Sequence, residues 1–113
     1  MERRASDGEV WWAHLDQKRP VVILSNEGLQ IRGMIIVSPA NTDIQGVAIE
    51  LKVGTEEGLP EEGALRVALP RPNRILCNWL VTLQEGDLVE RVGALSPETL
   101  RQLRETLRLG GLE

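Results

Sequence analysis

Pro20-Val21-Val22-Ile23-Leu24-Ser25-Asn26 decides the fold. Val21 to Leu24 is a continuous run of β-branched and aliphatic residues with no polar alternation, so both faces of the strand it forms must be covered. That makes it the central strand of a sheet. Ahead of it, Glu9-Val10-Trp11-Trp12-Ala13-His14-Leu15 is a second β-prone run, and Asp16-Gln17-Lys18-Arg19 leaves room only for a tight turn between the two.

Working outward, Leu29 to Val37 reads as a third strand bent at Gly33 and ended by Pro39, and Val47 to Val53 alternates as a strand with one wet face. Gly54 to Gly63 holds three glycines besides its proline and four carboxylates, the composition of a solvated acidic loop. Leu65 to Leu69 and Ile75 to Thr82 give two more strands, separated by Pro70-Arg71-Pro72-Asn73-Arg74, where the prolines exclude a helix.

Ser96-Pro97-Glu98 combines an N-cap hydroxyl, a proline suited to the first helical position and a first-turn carboxylate. Leu100, Leu103 and Leu107 then repeat at helical spacing until Gly110-Gly111, so one leucine stripe docks on the sheet. The expected architecture is mainly β with one C-terminal helix. Residues 1–7 are expected to be a flexible N-terminal segment, and 8–113 a single domain.

Composition narrows the function. Of 113 residues, 42% are hydrophobic, with three Trp and neither Phe nor Tyr, so aliphatic side chains must fill one core. Seventeen acidic against thirteen basic residues, net −4, argue against indiscriminate attraction to nucleic acid, so any nucleic-acid site must be local. One cysteine, Cys77, excludes an intrachain disulfide, and one cysteine with one histidine cannot build a conventional structural zinc site. No apolar run reaches membrane-spanning length, and a cytoplasmic location without metal or other cofactor is the expectation.

Nucleotide-binding glycine loops, metal-ligand clusters and Ser/His/Asp patterns are not evident. His14 on the first strand reads first as structural, and Cys77 as a small buried hydrophobe. Arg66, Arg71 and Arg74 lie in a stretch from Gly63 to Leu83 that contains no acid, a local basic region able to meet phosphates or to be solvated. Arg19, directly before the central strand, can present its guanidinium fork to a phosphate. Trp12 or Trp79 can stack on a base, although core packing is the commoner use of such residues.

Gly8-Glu9-Val10-Trp11-Trp12, Leu15-Asp16, Arg19-Pro20-Val21-Val22-Ile23-Leu24-Ser25-Asn26, Gly58-Leu59-Pro60, Cys77-Asn78-Trp79-Leu80-Val81-Thr82 and Val92-Gly93-Ala94-Leu95-Ser96 together resemble the MazF/PemK family, toxins of toxin–antitoxin pairs. The resemblance implies an SH3-like β-barrel (MazF/PemK/CcdB-like) with a C-terminal helix. It also implies a homodimer, a MazE-like antitoxin partner, and metal-independent endoribonuclease activity on single-stranded RNA. Such chemistry is attack of a ribose 2′-hydroxyl on the adjacent phosphorus, helped by proton transfer and by stabilisation of charge on phosphate oxygens.

By that resemblance Arg19 serves the phosphate, and Asn41 or Thr42 contacts it, within Ser38-Pro39-Ala40-Asn41-Thr42 where the family carries its catalytic threonine. Lys18, Arg71, Arg74 and Asn78 are the expected RNA-binding residues. Asp16-Gln17-Lys18-Arg19 lacks the family's longer glycine-rich loop, and Leu76, Asn78 and Val81 stand where polar residues often serve RNA. A catalytically weak member acting by protein binding, on an antitoxin or on a topoisomerase as CcdB does, is the competing reading.

Overall fold

The computed structural model describes residues 5–27, 30–37, 48–68 and 80–109. In chain order they form β1 (Glu9–His14), β2 (Lys18–Asn26), β3 (Ile31–Ile35), β4 (Ala48–Val53), β5 (Gly63–Ala68), β6 (Leu80–Leu83), β7 (Leu88–Ala94) and α1 (Pro97–Leu109). Short 3₁₀ turns at Thr55–Glu57 and Glu85–Asp87 precede β5 and β7. The architecture is mainly β with one C-terminal helix.

Five strands make an antiparallel sheet in the order β6-β3-β2-β1-β7, with β2 in the middle. Val21, Val22, Ile23 and Leu24 are all fully buried, as the unbroken apolar run requires. Val22 and Leu24 point into one cluster with Val10 and Met34. Val21 and Ile23 point into a second, with Trp11, Ala13, Ile31 and Leu83. Burying each such aliphatic side chain contributes about 1.5–3 kcal/mol.

β4 and β5 pair as a separate two-stranded sheet. It joins the larger one at an isolated antiparallel bridge, where Val37 donates to the Ala64 carbonyl at 2.9 Å and Ala64 donates back at 2.7 Å. Val53, Leu65 and Val67 from the small sheet meet Leu103 and Leu107 from α1 in the first cluster, so the helix closes the space between the sheets. The described strands thus form two bridged sheets, with no continuous closed barrel among them.

α1 begins where expected. The Ser96 hydroxyl accepts from the Thr99 amide at 3.1 Å, capping the first turn, and Leu103 and Leu107 are fully buried. From its outer flank Arg104 donates to Asp7 and to the Leu24 carbonyl, both at 2.9 Å, tying the helix to β2 and to the chain before β1. Ala5 is buried in the second cluster, and its carbonyl accepts from the Asn26 amide nitrogen at 2.8 Å.

β7 is a strand that the sequence reading does not contain. Val89, Glu90 and Arg91 are exposed, and pairing with β1 slips twice, at Val10/Trp11 and Trp12/Ala13. A polar, irregular edge strand of this kind lacks the periodicity that marks an interior one. The acidic loop is mostly solvated as expected, but it buries Leu59 in the first cluster.

Candidate active site

The β1–β2 turn positions the candidate residues. Leu15 donates to the Gln17 carbonyl at 3.0 Å, closing the turn, and Asp16 accepts from the Gln17 amide at 2.9 Å. The same carboxylate takes the Arg19 fork two-handed, with Nε to Oδ1 at 3.0 Å and Nη2 to Oδ2 at 3.2 Å. The hydrogen bond and the charge of Asp16 raise the Arg19 pKa. Hydrogen bonding from Arg19, first among several contributions, in turn holds the Asp16 carboxyl below its ordinary value.

Arg19 stands on the wall of a cleft of about 280 Å³. Trp12, Lys18 and Pro20 from the β1–β2 hairpin form one side of it, Ile36 and Val37 at the end of β3 another, and Glu61 and Glu62 from the acidic loop the third. Backbone pairing sets Trp12 opposite Pro20 and His14 opposite Lys18. The Lys18 ammonium lies 5.1 Å from the centre of the Trp12 ring, a cation–π contact.

The two adjacent tryptophans differ sharply. Trp11 is buried in the second cluster, its indole N–H donating to Glu9 at 3.3 Å. Trp12 is only half-buried and, among the described residues, belongs to neither cluster. His14, at the end of β1, is exposed.

Of the residues singled out from sequence, Arg19 and Lys18 therefore meet at one cleft. Asn41, Thr42, Arg71, Arg74 and Asn78, like Cys77 and Trp79, lie outside the described residues. Arg66 is held within the small sheet, directly across from Glu50, with Nε 3.3 Å from its carboxylate. Sequence reasoning missed Asp16, Glu61 and Glu62 as neighbours of the cations. The short spacing from Asp16 to Arg19 was the one available signal, because a tight turn folds such a pair together. Among the described residues no group of three or more His, Cys, Asp or Glu side chains is placed to hold a metal.

The described residues thus place an arginine, paired with a carboxylate, at a cleft beside the first hairpin of a mainly β fold. The chain belongs to the PemK-like, MazF-like toxins of type II toxin–antitoxin systems, whose family model matches residues 6–110. It is similar in fold to the Mycobacterium tuberculosis toxin MazF-mt6, with a TM-score of 0.67 and 22% identity over 93% of this chain and 98% of that one. It is likewise similar to a mycobacterial endoribonuclease solved in complex with its cognate antitoxin, with a TM-score of 0.64 and 15% identity over 99% of this chain and 98% of that one. No curated protein matches the sequence.

Proposed function

We propose that this toxin-family protein is an endoribonuclease that cuts single-stranded RNA at short sequences without a metal ion, halting translation and growth. The observation that carries the reading is the Arg19 fork, fixed by Asp16 at the wall of the cleft. Asp16 occupies one N–H of Nε and one of Nη2, which leaves the three remaining guanidinium N–H groups for phosphate oxygens. In the reaction the ribose 2′-hydroxyl gives up its proton to solvent as its oxygen bonds to phosphorus, the bond from phosphorus to the 5′-oxygen breaks to leave a 2′,3′-cyclic phosphate, the departing 5′-oxygen takes up a proton, and Arg19 stabilises charge on the non-bridging oxygens.

Asn41 or Thr42 supplies the second contact to the phosphate, and Lys18, Arg71, Arg74 and Asn78 guide the strand. Residues 8–113 work as one domain on an SH3-like barrel plan, in a cytoplasmic homodimer neutralised by a MazE-like antitoxin. Family membership and the antitoxin-bound relative support that partner. Among the described residues no helix is long and apolar enough to cross a membrane.

The test is incubation of purified protein with a long single-stranded RNA in EDTA, comparing wild type with Arg19→Ala and mapping the cut ends. Discrete cuts lost in the variant are expected. Intact RNA with wild type would overturn the reading in favour of a catalytically silent module acting through protein binding.

A further inference from the structure

We infer that Trp12 is the stacking platform of a nucleobase subsite in the cleft, a role resting on the ribonucleolytic reading. Four observations lead there. Trp12 is partly exposed, lines the cleft and, among the described residues, belongs to neither apolar cluster, whereas its neighbour Trp11 is buried in packing. The cleft, at about 280 Å³, is large enough to take a flat heterocycle. Arg19 shares the wall, so a base on Trp12 has a phosphate-binding group near it.

The fourth observation is the Lys18 ammonium over the Trp12 ring. It is a hydrated charge on a flexible stem, and Lys18 itself is exposed. A base that slides onto the indole displaces this ammonium and frees it to meet the phosphate the base brings. Every base has a π-face, so stacking supplies affinity with little sequence preference.

Glu61 and Glu62 orient the occupant. Their carboxylates repel phosphate, so the backbone runs along the Lys18 and Arg19 side while the base edge turns toward the acids. Carboxylates only accept hydrogen bonds, and an amino or imino edge offers donors.

The test separates binding from cutting. Binding of a short single-stranded 2′-deoxy oligonucleotide, which lacks the attacking hydroxyl, is measured by titration on wild type, Trp12→Phe and Trp12→Ala, with far-ultraviolet circular dichroism melts of each. The expected result is about tenfold weaker binding for Trp12→Ala, near wild-type binding for Trp12→Phe, and a matching rise in KM for RNA at little-changed kcat. An oligonucleotide of abasic sites should bind wild type and Trp12→Ala equally. Equal affinity of wild type and folded Trp12→Ala for the normal oligonucleotide would overturn the subsite. If Trp12→Ala unfolds, Trp12→Leu takes its place under the same criterion. Failure of wild type to cut RNA while the Trp12 effect on binding persists would sink the ribonuclease reading and leave the subsite standing.

Discussion

Asp16 grips Arg19 with both carboxylate oxygens across a turn of three residues, so the candidate phosphate-binding group is oriented before any substrate arrives. A fork fixed in advance loses less side-chain freedom when it engages an anion. Asp16→Ala is therefore expected to lower kcat for RNA by between about ten- and a hundredfold with a smaller change in KM, while Arg19→Ala is expected to lower it by about a hundredfold or more. Asp16 is well exposed, so thermal melts should show both variants folded. Faster cleavage by Asp16→Ala would show that the carboxylate competes with the phosphate.

Glu61 and Glu62 place two carboxylates at the cleft occupied by Lys18 and Arg19. Against a polyanion this is an unfavourable long-range field, and salt should mute it, because screening acts within about 10 Å at 0.1 M. The double change Glu61→Gln and Glu62→Gln is expected to tighten RNA binding severalfold at low salt and to lose that advantage near 1 M. A salt titration of both proteins checks it, and equal affinities at low salt would remove the acids from the RNA path.

Legibility followed burial. Val21 to Leu24 declared a two-sided strand because all four side chains had to be covered, and Ser96-Pro97-Glu98 declared a helix start through local capping chemistry, both as observed. β7 stayed hidden because an edge strand can carry Glu90 and Arg91 outward and slip its register, erasing the period of two. At the site, Arg19 was visible through its place before the buried strand. The difference between Trp11 and Trp12 was not, because β1 has apolar residues toward both faces and only tertiary packing leaves one indole half open. Glu61 and Glu62 reach the cleft from far along the chain, a contact that no local pattern reports.

Glu9 ties acid stability to the first strand. Burial pushes its pKa up, but hydrogen bonds from the Ser6 amide, from Arg91 at 2.6 Å and from the Trp11 indole outweigh it, so the net displacement is below the ordinary 4.5. A depressed carboxylate stabilises the fold above its unfolded value, and that contribution is lost as pH falls from about 4.5 through the lower folded value. Urea unfolding from pH 7 to pH 3 should show wild type losing more stability across that window than Glu9→Gln. Parallel curves would mean that Glu9 is not a titrating support.

Gly93 should tolerate no side chain. The 3₁₀ turn at Thr55–Glu57 and the following Gly58 cross directly over β7, and a Cβ built on Gly93 runs into the Glu57 carbonyl while one on Gly58 runs into that of Val92. Both obstacles are backbone, so neither can swing aside. Gly58 also has φ +92°, a left-handed conformation that side chains disfavour. Gly93→Ala is expected to cost about 2 kcal/mol or more in urea unfolding, since the acidic loop must lift from β7 and draw Leu59 from the core. By contrast, Gly86 has nothing within 4 Å of an added Cβ, and Gly86→Ala should stay within about 0.5 kcal/mol of wild type. Equal losses at the two positions would refute the crossing as the reason for glycine at 93.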